Sequence, residues 1–230
     1  MSYLRARRNS EKDQRRQAIL DAAKDLFATQ GMDTTTIDQI AKACRLSRSL
    51  IYTYFLDKNH IFLAIVSAAL QVMLDAFKDA IHNEKNGLDR ITAIGWAYVS
   101  FALTKPEYYD ATLRFQLLNP VGSSVSEKEK SELSERFQTD FQDTLKHAAQ
   151  ITQLMAAQVE AGVQDGSIRK DIGEPVKTAL SLWAMTGGLI QTSAANAHLF
   201  SQAYGISQKE LIAQGMALMH EGLKNKGETR

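Results

Sequence analysis

The side chains in this chain best suited to chemistry are hydrogen-bond donors on one short helix. Arg48, Ser49, Tyr52 and Thr53 follow Ser47 at helical spacing, with Ser47 placed to cap the helix. They share one outward face of hydroxyls, a phenol and a guanidinium, with no acid among them. Such a face suits a polyanion: a guanidinium can bond guanine bidentately in a major groove, while hydroxyls reach sugar and phosphate. Leu50, Ile51 and Phe55 form the inner face. Tyr54 lies between the two faces and reads equally as packing or as contact.

Signs of catalysis are missing. The sequence has no glycine-rich phosphate loop, no Gly-x-Ser-x-Gly elbow and no His-Glu-x-x-His pair. His60, His82, His147, His198 and His220 are scattered, and Cys44 is the single cysteine, so neither a disulfide nor a cysteine-based zinc cluster can form within the chain. The expectation is a protein with no enzyme activity, no metal and no cofactor. Cys44 sits at apolar-face spacing, which makes it a small core residue rather than a redox sensor. Lone-cysteine usage fits a reducing, cytoplasmic compartment. The polar, arginine-rich start, 1–10, has no apolar core of a signal peptide. The apolar run 61–70 is too short to span a membrane and reads as a buried helix, so no membrane partner is expected.

The elements that must position the outward face follow from apolar periodicity and capping. Ile19, Ala22, Ala23, Leu26 and Phe27 make one stripe of a first helix from about Lys12 to Gln30, ended by Gly31. Thr36-Ile37-Asp38-Gln39 has the form of a capping box opening a second helix that stops near Arg45. The third helix is expected over 48–55, and Asp57 caps a fourth that runs to about His82. Further helices are expected over 89–103, 106–118, 127–164, 174–200 and 207–224, with a loop at 119–126. About nine helices and no strand alternation define an all-α fold. Residues 1–16 hold six basic side chains against two acidic ones, whereas 61–230 hold 16 basic and 19 acidic ones. The division expected is a basic flexible arm over 1–11, a three-helix helix-turn-helix domain over 12–60 with its motif at about 36–55, and a larger helical domain over 61–230.

A resemblance emerges from these residues. Thr36-Ile37-x-x-Ile40-Ala41, followed by Leu46-Ser47-x-x-x-Ile51-Tyr52-x-Tyr54-Phe55-x-x-Lys58, resembles the DNA-binding domain of the tetracycline-repressor (TetR) family. Apolar, capping and contact positions agree in register from Gly31 to Lys58, and flanking helices extend the likeness to about Val66. The resemblance implies a partner, double-stranded DNA. It implies that Thr36 bonds a phosphate, that Arg48, Ser49, Tyr52 and Thr53 face base edges or sugar, and that Tyr54 and Lys58 bond the backbone. One position departs: Arg45 stands where the family has glycine in the turn. A left-handed non-glycine costs about 1 kcal/mol or more, so either the turn is reshaped or Arg45 offsets the strain on a phosphate.

For the remainder, the resemblance implies a helical domain that binds a small effector and dimerises. Trp96, Phe101, Tyr109, Phe115, Phe141, Met155 and Trp183 are candidates to line an apolar pocket, although each also suits an ordinary core. Trp183, Gly187, Gly188, Ile190, Leu211, Met216 and Met219 are candidates for half of a four-helix interface in a homodimer, since paired glycines inside a helix favour close approach. A two-fold dimer would read a pseudo-palindromic operator. The reading is a repressor released by an apolar or amphipathic ligand that shifts the fourth helix. Its rivals are an activator, a regulator answering to a protein partner, and a helical enzyme or interaction module in which 34–58 merely pack.

Overall fold

The computed structural model describes residues 2–118 and 132–227. Among the described residues the fold is ten helices: α1 (Ser2–Gln30), α2 (Ile37–Ala43), α3 (Arg48–Ile51), α4 (Lys58–Ile81), α5 (Gly87–Thr104), α6 (Pro106–Leu118), α7 (Glu132–Asp165), α8 (Pro175–Ala195), α9 (Ala197–Tyr204) and α10 (Gln208–Leu223). The all-α expectation holds. The tenth helix arises because the stretch expected as one helix over 174–200 breaks at Asn196. That residue leaves helical geometry at φ −112 and ψ 13, and its side-chain amide bonds the Thr192 carbonyl at 3.0 Å. The expected loop at 119–126 and the expected start of the seventh helix at 127 lie outside the described residues.

The N-terminal arm is a correction. Instead of a flexible segment over 1–11, the first helix already begins at Ser2. An Arg7–Glu11 pair at 3.2 Å and i,i+4 spacing supports the added turns.

Packing divides the chain into two compact units, Met1–Gln71 with Lys105–His147, and Val72–Thr104 with Ala148–Arg230. This differs from a boundary at residue 60, because α6 and the first half of α7 pack with the N-terminal helices. In that first unit the core joins Ile19 and Ala23 of α1, Ile40 of α2, Ile51 of α3 and Phe55, all fully buried, with Ile61 of α4. Phe27 meets Phe62 edge-on at 6.5 Å. In the second unit α8 and α10 pack on each other and on α5. Gly87 opens α5 against the backbone of Gly162, where a Cβ would lie 2.1 Å from the Gly162 nitrogen, so no other residue fits. The freed N–H groups of α5 are met by Asp165, which accepts from Gly87 at 2.8 Å, and Ser167, which accepts from Leu88 at 3.1 Å.

By length and mean hydropathy α4 is apolar enough to cross a membrane, contrary to the reading of its apolar run as too short, yet 72% of its most apolar window is buried within the molecule. It is accounted for as a core helix.

Phe55 has 0% exposure and its ring meets His60 edge-on at 5.2 Å. Phe55→Ala is expected to lower the unfolding free energy by about 3–5 kcal/mol, read from the urea midpoint at unchanged slope. A loss below about 1 kcal/mol would contradict the packing described.

Candidate nucleic-acid interface

The motif is built from its caps. The Thr36 hydroxyl accepts from the Gln39 N–H at 3.2 Å and the Gln39 side chain accepts from the Thr36 N–H at 2.8 Å, the reciprocal box that starts α2. At the other end the Leu46 N–H bonds the Ala41 carbonyl at 2.9 Å and the Arg45 N–H bonds that of Lys42 at 3.3 Å. This is the Schellman pattern, which needs a left-handed residue at Arg45. Arg45 supplies it at φ 56, and its side chain is exposed. The turn is therefore not reshaped to suit an ordinary residue, and the strain is kept.

Ser47 accepts from the Leu50 N–H at 3.2 Å and starts α3. The helix expected over 48–55 is shorter: α-geometry ends at Ile51, and tightened bonds from Thr53 to Leu50 and from Tyr54 to Ile51 carry the chain on to Phe55. Arg48, Ser49, Tyr52 and Thr53 all lie exposed on one side, as expected. Arg48 reaches Asp38 of α2 at 3.1 Å and the Tyr52 hydroxyl at 3.4 Å, which holds its guanidinium outward. Thr53 turns its hydroxyl to the Leu50 carbonyl at 2.7 Å. Tyr54, which the sequence left between two roles, is 5% exposed and belongs to the core rather than to the outer face. Lys58 is half-buried and donates to the carbonyls of Asp33 at 3.1 Å and Thr35 at 2.9 Å, so it ties α4 to the α1–α2 turn beside Thr36. An ammonium has three donors, which leaves one for a phosphate.

Beneath the motif lies a polar brace absent from the sequence reading. His60 is 1% exposed. Its Nδ1 accepts from the Leu56 N–H at 3.1 Å, so in the neutral ring Nε2 carries the proton and donates to Asp140 of α7 at 3.0 Å. Arg16 of α1 grips the same carboxylate with bonds of 3.1 and 2.9 Å and stacks over the Phe55 ring at 5.2 Å. Burial pushes the Asp140 carboxyl up, but the His60 hydrogen bond and the Arg16 guanidinium outweigh it and hold it below the ordinary aspartate value. A second tie joins Arg114 of α6 to Asp33 at 2.7 and 2.8 Å. Nothing local in the sequence marks these partners, since 80 to 124 positions separate Asp140 from His60 and Arg16.

The residues expected to line a pocket do not assemble. Met155 and Trp183 line a cavity of about 30 Å³ in the second unit. Trp96 is 43% exposed instead, while Phe101 is buried in the core. Tyr109, Phe115 and Phe141 belong to the first unit and are not among the residues that line this cavity. Tyr98, whose aromatic ring also suited a pocket in sequence, lines it too, and sequence reasoning missed Phe77, Thr186 and the pair Thr92–His220. Thr92 gives its proton to the Leu88 carbonyl at 2.8 Å and therefore accepts from His220 Nδ1 at 3.0 Å. The buried Nε1 of Trp183 has no hydrogen-bond partner among the described residues.

The expected dimer residues divide between the inner and outer sides of their helices. Gly187, Ile190 and Met216 face the interior of their own unit, Gly187 lying where a Cβ would meet the Tyr98 hydroxyl at 3.5 Å. Trp183, Leu211 and Met219 are half-buried, and Gly188 is exposed. Periodicity placed α8 as a helix but did not separate its inner side from its outer side. The outer apolar side chains of these last helices are Val176, Leu180, Met185, Leu199, Tyr204 and Leu218.

Comparison with known proteins agrees with the motif. Residues 19–65 match the family model for bacterial regulatory proteins of the tetR family. The HTH-type transcriptional regulator HbdR of Aromatoleum sp. (strain CIB) is 39% identical over 90 residues, 37% of this chain and 38% of that protein. The HTH-type transcriptional repressor KstR2 of Rhodococcus jostii (strain RHA1) is 29% identical over 164 residues, 71% of this chain and 72% of that protein. The chain thus spans well under two thirds of HbdR, and its likeness to that relative is confined accordingly. Among solved structures, a tetR-family regulatory protein from Rhodococcus RHA1 superposes with a TM-score of 0.65 at 18% identity, over 93% of this chain and 98% of that one. AibR, solved with isovaleryl coenzyme A and operator DNA, gives 0.61 at 15% identity, over 89% and 97%.

A capped, outward-facing helix-turn-helix on an all-helical body is the mark of a DNA-binding transcription regulator. Residues 19–65, the segment that holds this motif, match the model of the tetR family of bacterial regulatory proteins.

Arg45→Gly is expected to raise the unfolding free energy by up to about 1 kcal/mol once the looser unfolded chain is allowed for. Urea unfolding checks it, and a variant less stable than the parent would show that the left-handed backbone is not strained.

Proposed function

We propose that the chain is a homodimeric repressor whose α3 reads a pseudo-palindromic operator in the cytoplasm and which a small apolar or amphipathic effector releases. The observation that supports it best is the exposed face of Arg48, Ser49, Tyr52 and Thr53, with Arg48 held ready by Asp38 and Tyr52. The Arg48–Asp38 ion pair is exposed and screened by solvent, so a guanine edge can displace the aspartate. Thr36, Arg45, Ser47 and Lys58 flank this face and act on the phosphates, positioning without specifying.

The effector enters the second unit, where Trp183 offers an unsatisfied N–H and His220 an imidazole beside Thr92. A cavity of about 30 Å³ holds about one water, so the effector must open it. The motion shifts α4 and alters the spacing of the two α3 helices in the dimer. Coupling of roughly 1–3 kcal/mol gives a 5- to 150-fold loss of operator affinity. AibR makes an acyl thioester the first effector class to try. The second copy meets the outer face of α8 and α10, around Leu180, Met185, Gly188 and Leu218.

A second reading, control by a protein partner with or without activation of transcription, is favoured by the nearly filled cavity. Titrating acyl thioesters and simple aromatic acids against the protein–operator complex separates the two. Release at saturating ligand supports the first, and no change with any of them supports the second. On an operator selected from random duplexes, Arg48→Ala is expected to cost about 1–3 kcal/mol and to relax base preference, whereas Lys58→Ala lowers affinity for all duplexes and reduces the salt slope by about 0.9. Arg48→Ala binding with parental affinity and preference would remove α3 as the reader.

A further inference from the structure

We propose that Asp140 is a positioning residue for DNA reading, so that α7 as well as α4 sets the pose of α3. The inference rests on α3 being the reader. It comes from a chain of contacts that leads from Asp140 to the end of the α3 segment. Leu56 follows the tightened turn that ends the α3 segment, and its N–H goes to a side chain, His60 Nδ1, at 3.1 Å. The His60 ring can accept there only while its proton sits on Nε2, and Asp140 holds it there at 3.0 Å. The two oxygens of the same carboxylate also fix Arg16, whose guanidinium covers the Phe55 ring at 5.2 Å. Phe55 and Leu56 are thus gripped from two sides by one carboxylate carried on another helix. Phe137, one turn before Asp140 on α7, closes the third side of the imidazole at 5.4 Å.

The consequence is specific. If α7 moves, Asp140 leaves His60 and Arg16 together, the Nε2 proton loses its acceptor, and Leu56 loses a fixed partner. The reading face then has freedom about its C-terminal end, while the phosphate contacts at Thr36 and Lys58, anchored by their own local bonds, persist. Loss of Asp140 therefore degrades discrimination between operator and random duplex more than it degrades binding to random duplex.

Two kinds of measurement test this on the full chain. Without DNA, imidazole ¹⁵N spectra are expected to show His60 protonated at Nε2 and bare at Nδ1, and amide exchange at Leu56 is expected to accelerate about tenfold in Asp140→Ala, which leaves no acceptor for the Nε2 proton. With DNA, the ratio of affinities for an operator selected from random duplexes and for an unrelated duplex is expected to fall about tenfold in Asp140→Ala, with the salt slope unchanged. His60→Asn keeps an acceptor near the Nδ1 position but cannot reach Asp140, and it is expected to lose discrimination too; parental discrimination in this variant overturns the link to α7. A proton on Nδ1, or Asp140→Ala with parental exchange at Leu56 or a parental affinity ratio, also overturns it. Should Asp140→Ala fail to fold, Arg16→Gln, at a side chain 34% exposed, is measured by the same affinity ratio: a fall supports the brace and a parental ratio overturns it. Faster Leu56 exchange alongside parental binding in Arg48→Ala would sink α3 as reader and leave the brace standing.

Discussion

A backbone N–H that no helix can satisfy governs how this molecule presents itself. Leu56 lies between α3 and α4, where the chain must turn sharply so that Phe55 can be swallowed by the core while Arg48 and Tyr52 stay outside. Leaving that N–H without a partner in a packed setting would cost on the order of 1–3 kcal/mol. The solution is an imidazole, and an imidazole that accepts at one nitrogen must donate at the other. From that requirement follow Asp140, the arginine that balances its charge, and the joining of α1, the first part of α4 and the first part of α7 into one unit with the helix-turn-helix. That unit is therefore larger than the motif and larger than 12–60, since the second half of the brace comes from α7.

How much of this was legible in sequence divides along a physical line. Caps act over three or four residues, so the Thr36–Gln39 box, Ser47 and Asp57 could be read directly, and they fixed the register of the whole motif. Apolar periodicity likewise placed Ile19, Ile40, Ile51 and Phe55 inward. The limits of α3 were less accessible, because the chain from Tyr52 to Phe55 keeps bonding to α3 carbonyls while tightening out of α-geometry, and side-chain pattern does not separate the two. The brace was invisible, since a carboxylate 80 residues from its histidine leaves no local mark. Along the chain, His60 is merely one of five scattered rings.

The effector region shows the opposite failure, in which composition suggested more than it could define. Aromatic and methionine side chains are as useful in a filled core as around a ligand, and nothing in their spacing tells which helices will face each other. Tyr109, Phe115 and Phe141 went to a different unit from Met155 and Trp183 for this reason. On α8 the sequence did not separate the two faces. Gly187 and Gly188 are adjacent, so they point about 100° apart and cannot both face inward. Gly187 is the inner one and lies beside Tyr98 at a distance where a Cβ would make ordinary contact, while Gly188 and Met185 are exposed.

Arg45 connects these observations. A glycine there would satisfy the Schellman turn at no steric cost, and the chain instead keeps a left-handed arginine with its guanidinium in solvent. Strain held at an exposed cationic residue gains nothing for the core. It is intelligible if, as proposed, the charge has a task outside the protein, on a phosphate. The α2–α3 turn is then stressed at its exposed corner and braced from beneath at Leu56, so the reading face is held by two constraints of opposite character. One is local and costly and points outward. The other is long-range and stabilising and points inward, and only the second can be moved by an event elsewhere in the chain.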